Sequence, residues 1–131
     1  MAEQLPIRIL ILDDDPFILK LLTRMLANLG FSSVDCSEDG TNALKLLDNV
    51  ATRPDLILLD LNMPGMDGFE TTALIRTRYL EGEGPRIIAM TANAARTDRG
   101  RCLAHGMDDY LAKPVLLSNL ERVLQRWAGT V

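Results

Sequence analysis

The sequence is poor in cysteine and in aromatic residues, and it contains no long hydrophobic run. Its two cysteines, Cys36 and Cys102, are too few for a disulfide framework and lack the clustered spacing of a zinc site. We expect both to be buried or partly buried thiols without a function. No apolar run approaches the ~20 residues that span a bilayer, and residues 1–8 lack the basic start and apolar stretch of a signal peptide. These absences predict a cytoplasmic protein that is not inserted in a membrane.

An excess of basic residues is also missing. Lys and Arg number 14 against 18 for Asp and Glu, so the formal net charge is −4 at pH 7. A mildly acidic chain has no general attraction to nucleic acid, and we expect no direct nucleic-acid partner. The length of 131 residues corresponds to one domain. We predict a single domain over residues 1–131, with a core of about 7–127 and no output domain in the chain.

Short apolar runs alternate with longer segments whose apolar residues recur at helical spacing. Asp15 and Pro16 form the start signal of the first helix, and Gly30 forms its stop signal. Ser118 and Glu121 form a capping box, which predicts that the last helix starts at Ser118. The predicted strands are residues 7–12, 31–36, 56–59, 86–90 and 110–112, and the helices between them are about 16–29, 40–48, 69–79 and 94–105. This alternation is typical of an α/β protein with a parallel sheet between two layers of helices.

Polar residues follow four of these strands at their carboxyl ends. Asp13 and Asp14 follow the first strand, Asp60 ends the third, Thr91 follows the fourth and Lys113 follows the fifth. Ligands of such sheets bind at this edge, so we expect these side chains to meet. Grouped carboxylates repel one another unless a divalent cation joins them, and magnesium prefers oxygen ligands. A carboxylate beside magnesium and a lysine can attack phosphorus, which predicts an aspartyl phosphate.

Four motifs carry a resemblance to a known family. ILILDDDP, DLILLDLNMPGMDG, IIAMTANA and DDYLAKPV occur in this order, and together they resemble the receiver domains of two-component response regulators. The run GMDDYLAKPV after IIAMTANA resembles the receivers of hybrid histidine kinases more than those of transcription-factor regulators. The resemblance covers about residues 7–127. It implies a flavodoxin-like (βα)5 doubly wound sandwich, an α/β fold whose five-stranded parallel sheet has the order 2-1-3-4-5.

The resemblance assigns the chemistry of phosphoryl transfer to residues at the strand ends. Asp60 matches the phosphoacceptor, and Lys113 matches the lysine that contacts the phosphoryl group. The residues matched to the magnesium site are Asp13, Asp14, Asp60 and Asn62, the last through its backbone carbonyl. Manganese (Mn2+) is expected to substitute for magnesium (Mg2+). The bond between Lys113 and Pro114 matches one that is usually cis in the family.

The resemblance also assigns the parts of a conformational switch. Thr91 matches the hydroxyl that bonds a phosphoryl oxygen, and Ala92 is the small residue that leaves room for its movement. Tyr110 matches the aromatic residue that turns inward on activation. Asn62 and Asn93 match the two positions that modulate the lifetime of the phosphorylated state. Phosphorylation is then expected to change the surface formed by the fourth helix, the fifth strand and the fifth helix.

The partner implied by the resemblance is a histidine kinase or a histidine phosphotransfer protein, which supplies the phosphoryl group from a phosphohistidine. A dimer that forms on phosphorylation is compatible with the resemblance. We expect a signalling domain and no enzyme, since the domain would assist only its own phosphorylation and dephosphorylation.

Two alternatives remain open. Asp60, Leu61 and Asn62 loosely resemble the nucleophile loop of haloacid-dehalogenase-type phosphatases, which would make the chain an aspartyl-phosphate phosphatase. However, Asn62 cannot act as the acid that those enzymes carry two residues after the nucleophile. The second alternative is a binding module, either a scaffold independent of phosphorylation or a flavin-binding domain. The first turn is acidic where flavodoxins carry a phosphate loop.

Other polar residues have simpler interpretations. We expect Asp55 to lie at a strand entry and Asp67 to stabilise a turn. His105 stands beside a glycine at a helix end, and we expect no catalytic role for it. The basic stretch of residues 96–101 is expected to be either a solvated face or a contact for a partner.

Overall fold

The fold is built from five strands and five helices that alternate along the chain. A computed structural model describes residues 7–80, 82–92 and 96–128, and of residues 96–99 only the backbone. The strands are β1 (Ile9–Leu12), β2 (Val34–Ser37), β3 (Leu56–Asp60), β4 (Arg86–Thr91) and β5 (Asp109–Ala112). The helices are α1 (Pro16–Asn28), α2 (Gly40–Asp48), α3 (Gly68–Arg76), α4 (Arg96–Ala104) and α5 (Leu117–Trp127). No helix among the described residues is long and apolar enough to cross a membrane.

The five strands form one parallel sheet in the order β2-β1-β3-β4-β5, which confirms the predicted topology. Apolar side chains cover both faces of its central strands. In β1, Ile9 and Ile11 face the layer of α1 and α5, whereas Leu10 and Leu12 belong to the cluster shared with α2, α3 and α4. Burial on both faces explains why β1 reads as a continuous apolar run instead of an alternating one.

The edge strand β2 departs from the prediction. It begins at Val34, three residues later than expected, and only Ser37 in it is buried. Cys36 is exposed, so the expectation of a buried or partly buried thiol is wrong there, whereas Cys102 is buried as expected. An edge strand has a neighbour on one side only, and Cys36 has the hydroxyl of Thr23 in α1 as its neighbour at 3.5 Å.

Aspartates occupy the N-cap positions of the first three helices. The Asp15 carboxylate accepts the backbone N–H of Phe17, and Pro16 is the first residue of α1, as predicted. Asp39 caps α2 and Asp67 caps α3 in the same way, by accepting the N–H groups of residues 42 and 70. Asp67 is thus the N-cap of α3, whereas the sequence predicted a residue that stabilises a turn. The left-handed φ of 97° at Gly30 ends α1.

The predicted capping box of α5 is wrong. The helix begins at Leu117, Leu116 occupies the N-cap position, and no side chain caps it. Ser118 is therefore already inside the first turn, and its backbone has no N-cap geometry. The N–H groups of Asn119 and Leu120 bond the carbonyl oxygen of Leu116 instead.

Candidate functional site

The strand register brings the predicted site residues to one edge of the sheet. Leu12 pairs with Leu59, so the next residues along β1 and β3, Asp13 and Asp60, lie side by side. Asp60 pairs with Met90, which places Thr91 one residue further along the neighbouring strand. Thr91 pairs with Ala112, and Lys113 follows it. Asp13 and Asp60 are thus level with each other, Thr91 lies one residue further along the sheet edge, and Lys113 lies two residues further.

Lys113 reaches across the sheet edge to both buried carboxylates. Its Nζ lies 2.9 Å from Asp60 Oδ1 and 3.3 Å from Asp13 Oδ2. Burial lowers the pKa of Lys113, but the hydrogen bond and charge of Asp60, together with the charge of Asp13, outweigh this effect and raise the pKa above its ordinary value. Lys113 is therefore a permanently charged group that faces Asp60.

Asp60 is held from two directions. Its side chain is 2% exposed, and its Oδ1 accepts the Lys113 ammonium and the backbone N–H of Asn62, the latter at 3.1 Å. Both bonds fix the carboxylate through one oxygen. The backbone of Asn62 therefore orients Asp60 directly, which is a contact that the sequence did not reveal.

Asp13 lies in an electrostatically unfavourable position. Its Oδ1 accepts the N–H of Asp15 at 2.9 Å, whereas its buried Oδ2 has no hydrogen-bond partner among the described residues. Burial raises the pKa of Asp13 and the charge of Asp60 raises it further, and together they outweigh the Asp15 N–H and the nearby Lys113 ammonium, which lower it. Lys113 carries one positive charge and is shared by two buried carboxylates, so the pair keeps an excess of negative charge that a further cation could neutralise.

The three aspartates fit a magnesium site. Asp13, Asp14 and Asp60 each offer one carboxylate oxygen, and these oxygens lie within 4.8 Å of one another. Asp14 is exposed and the other two are buried, so the cluster opens to solvent on one side. Carboxylate oxygens with room for water are the ligands that magnesium prefers. Asp13 Oδ2 accepts no hydrogen bond from the described residues, although the Lys113 ammonium lies 3.3 Å away, and this is the strongest local sign that a cation belongs here.

Two of the predicted switch residues lie at the end of β4, and the third, Tyr110, lies in β5. Thr91 is buried and Ala92 is exposed beside it. Tyr110 is half-buried and lines a cavity of about 300 Å³ with side chains of α5 that include Arg122 and Arg126. The Lys113–Pro114 bond is cis. Asn93 lies outside the described residues.

In the basic stretch on α4, the described side chain of Arg101 contacts α3. The Arg101 guanidinium lies 4.2 Å from the ring centre of Phe69 in α3, and the ring of His105 packs 4.8 Å from the same ring. His105 Nδ1 bonds the carbonyl oxygen of Arg101. These contacts join α4 to α3, which is a structural role for His105. The side chains of Arg96 and Arg99 lie outside the described residues.

Curated proteins similar to this chain are much longer than it is. The hybrid signal transduction protein dokA of Dictyostelium discoideum is 40% identical over 123 residues, which are 93% of this chain and 7% of that protein. Sensor histidine kinase RcsC of Escherichia coli is 40% identical over 94% of this chain and 12% of its own length. The chain thus spans about a tenth of these curated relatives.

Solved structures match over nearly the whole chain. The receiver domain of sensor histidine kinase PA1611 from Pseudomonas aeruginosa, with a magnesium ion coordinated in its active-site cleft, is 40% identical. The match covers 96% of this chain and 100% of that one, with a TM-score of 0.81. The receiver domain of Saccharomyces cerevisiae Ssk1, crystallised with the histidine phosphotransfer protein Ypd1, is 25% identical with a TM-score of 0.81, and covers 96% of this chain and 91% of that one. The family model of the response regulator receiver domain matches residues 9–125, and this chain belongs to that family.

Proposed function

We propose that this domain accepts a phosphoryl group on Asp60 in a two-component system or phosphorelay. The observation that carries the proposal is the position of Asp60. Its carboxylate lies 2.9 Å from the Lys113 ammonium and within 4.8 Å of two further carboxylates that can share a cation with it. This arrangement combines a nucleophile with positive charge for the phosphoryl oxygens.

The reaction is a transfer from a phosphohistidine. A carboxylate oxygen of Asp60 attacks phosphorus and forms a P–O bond as the P–N bond of the donor breaks. The imidazole nitrogen leaves with the bonding electron pair and takes a proton from water. Lys113 neutralises charge on the phosphoryl oxygens, and the N–H of Asn62 keeps the carboxylate oriented.

Magnesium would be held by Asp13, Asp14, Asp60 and the backbone carbonyl of Asn62, with manganese as a substitute. When bound, it would neutralise the negative charge that builds up on the transferring group. The acidic cluster supports this assignment because it leaves the buried Oδ2 of Asp13 without a hydrogen bond. The magnesium ion in the PA1611 receiver domain supports it independently.

The donor in this proposal is a histidine kinase or a histidine phosphotransfer protein. The similarity to receiver segments of sensor kinases and to the Ssk1 receiver crystallised with Ypd1 supports it. Phosphorylation would draw the Thr91 hydroxyl toward the phosphoryl group and let Tyr110 turn inward from its half-buried position. The surface of α4, β5 and α5 then changes, which makes the domain a two-state switch set by a local charge.

Acetyl phosphate tests this function without a protein donor. The protein is incubated with acetyl phosphate and magnesium, and its intact mass is recorded beside Asp60→Asn and an EDTA control. We expect one phosphoryl adduct that requires the metal and disappears in Asp60→Asn. An adduct that persists in Asp60→Asn would place the acceptor elsewhere. Absence of an adduct both here and with a phosphorylated histidine donor would favour the phosphorylation-independent scaffold.

A further inference from the structure

We infer that Gly68 is a positioning residue for Asp60. The absence of a side chain at Gly68 lets the first turn of α3 pack directly against the backbone of the phosphoacceptor. This contact sets the position of the Asp60 carboxylate and of the Asn62 carbonyl. The inference rests on the proposed function of Asp60, and it names a further residue on which that site depends.

The approach of Gly68 to β3 is too close for any other residue. A Cβ added at Gly68 would lie 2.7 Å from the carbonyl oxygen of Asp60, 2.7 Å from Leu59 Cδ2 and 2.8 Å from Leu61 Cα. Two of these three atoms belong to the backbone of a buried strand end, so they cannot rotate away. A side chain at this position must therefore push α3 and the end of β3 apart.

A glycine is required at position 68 because there is no space for a side chain, and not because of its backbone conformation. Gly68 is the first residue of α3, and it is not among the glycines with positive φ. An alanine could adopt its dihedral angles, so a substitution acts only through the close contact. Gly65 in the preceding loop is the opposite case, since its φ is 81° and an added Cβ would meet nothing within 4 Å.

Hydrogen bonds tie Gly68 to both elements. Its N–H donates to the carbonyl oxygen of Leu61 at 3.1 Å, and its carbonyl oxygen accepts the buried Thr72 hydroxyl at 2.8 Å. Asp67, one residue earlier, caps the helix. The helix start and the strand end therefore form one rigid unit around the Asp60–Leu61 peptide.

The same peptide leads directly into the site. Asn62 follows it, and its N–H holds Asp60 Oδ1 at 3.1 Å. The Lys113 ammonium meets this same oxygen at 2.9 Å. A displacement of a few tenths of an ångström at the Asp60 carbonyl would move the carboxylate relative to Lys113 and would turn the Asn62 carbonyl. Both effects would weaken the cation site and the attack on phosphorus.

The chain offers a matched control for this test. Gly100 also lies within a helix, α4, and a Cβ added there meets nothing within 4 Å. We expect Gly68→Ala to weaken magnesium binding in calorimetric titrations by about 10–100-fold, the range typical of lost support around a metal site. The maximal phosphorylation rate with saturating acetyl phosphate should fall by a similar factor. Gly100→Ala should remain within about twofold of the parent in both measurements.

Stability is measured separately to distinguish positioning from general damage. Gly68→Ala is expected to unfold at a lower temperature, and the increase of Tm with added magnesium should also shrink. A Gly68→Ala protein whose magnesium affinity and maximal rate equal those of the parent would overturn the inference, whatever its Tm.

A second variant is used if Gly68→Ala does not fold. Leu59→Val removes the Cδ2 atom, which is the one side-chain atom of the three contacts, and leaves the two backbone contacts in place. The double variant Leu59→Val/Gly68→Ala is compared with Leu59→Val alone. The double variant should bind magnesium about 10–100-fold more weakly, and equal affinities would overturn the inference.

Failure of the inference and failure of the proposed function give different results. If the parent is phosphorylated at Asp60 and Gly68→Ala behaves like the parent, the positioning role is wrong and the function stands. If the parent accepts no phosphoryl group but Gly68→Ala still loses magnesium affinity, the function is wrong and the positioning of the acidic cluster stands.

Discussion

At the carboxyl end of the sheet one lysine faces two buried aspartates, whereas at the amino end one aspartate faces two arginines. Asp108, just before β5, accepts the Arg76 guanidinium at 3.0 Å and the N–H of Ile87 at 2.8 Å, and Arg86 lies 3.5 Å away. Lys113 is the described cation that contacts Asp60 and Asp13 at the other end. At the amino end, two arginines neutralise the Asp108 carboxylate. At the carboxyl end, Lys113 brings one positive charge to two buried carboxylates.

A second carboxylate at the amino end, that of Asp109, also has a hydrogen-bond donor and an arginine as partners. Asp109 Oδ2 accepts the indole N–H of Trp127 at 2.9 Å, and Arg126 lies 3.8 Å from it. The guanidinium groups of Arg86 and Arg126 lie 5.1 and 5.4 Å from the Trp127 ring centre. At the amino end of the sheet, these contacts anchor β5 and α5. At the carboxyl end, an excess of negative charge remains that a cation can neutralise.

The largest effect on stability is expected at the amino end. Asp108→Ala leaves Arg76 and Arg86 without their common carboxylate and the N–H of Ile87 without an acceptor. Loss of one partner from a partly buried network costs about 3 kcal/mol. Urea unfolding of the metal-free protein measures this loss. A decrease below about 1 kcal/mol would show that Asp108 is no anchor.

At the carboxyl end we expect a substitution to increase the free energy of unfolding instead of decreasing it. In the metal-free protein, Asp13→Asn removes a buried charge whose Oδ2 has no hydrogen bond. The free energy of unfolding at pH 7 should rise, because burial of the Asp13 charge and its repulsion by Asp60 are removed, while magnesium binding weakens. A destabilised Asp13→Asn protein would show that Lys113 compensates Asp13 fully.

The pH dependence of this effect follows from the raised pKa of Asp13. The folded protein holds the Asp13 proton more tightly than the unfolded chain. This contribution stabilises the protein below the ordinary pKa of 3.8, and it is lost as the pH rises through the higher folded value. The stability difference between Asp13→Asn and the metal-free parent should therefore grow as the pH is raised from about 4. Equal pH profiles of the two proteins would contradict this.

A smaller loss of stability is expected from Trp127→Phe. The phenyl ring keeps part of the stacking with Arg86 and Arg126 but cannot donate to Asp109. A single hydrogen bond to a partly exposed carboxylate contributes about 1 kcal/mol. Urea unfolding should show this decrease with an unchanged magnesium affinity. A changed affinity would mean that the two ends of the sheet are coupled.

The smallest effect is expected for Asp48→Ala, which serves as the surface control. Asp48 in α2 pairs with Arg78 at 2.9 Å, and this hydrogen bond lowers the pKa of Asp48. Solvent screens such an exposed pair. We expect no measurable change in the urea midpoint, and a clear decrease would show that surface pairs matter as much as Asp108.

Local patterns predicted most of the elements, and the failures have local causes. The apolar runs of β1 and β3 are unambiguous because both faces of these strands are buried. Asp15 and Pro16 predicted the start of α1 correctly because both signals act within a few residues. The capping box at Ser118 failed because its sequence pattern fits equally well inside a first turn.

Local sequence patterns did not predict the close contacts within the site. The sequence placed Asp13, Asp60 and Lys113 at strand ends, and the family resemblance supplied the strand order. Neither indicated that Asn62 orients Asp60 through its backbone, or that Gly68 touches the Asp60 carbonyl oxygen. These contacts depend on how the loop after β3 and the start of α3 settle on the sheet, which no local spacing records.

The sequence by itself determined the alternation of buried strands and helices and the polar residues that end each strand, because burial and backbone preferences act over a few neighbouring residues. The tertiary structure alone decided the register that sets Asp13 beside Asp60, the reach of Lys113 to both, and the packing of α3 against the end of β3. Those features join residues that are far apart in the chain, and they are fixed only when the whole sheet and its helices pack together.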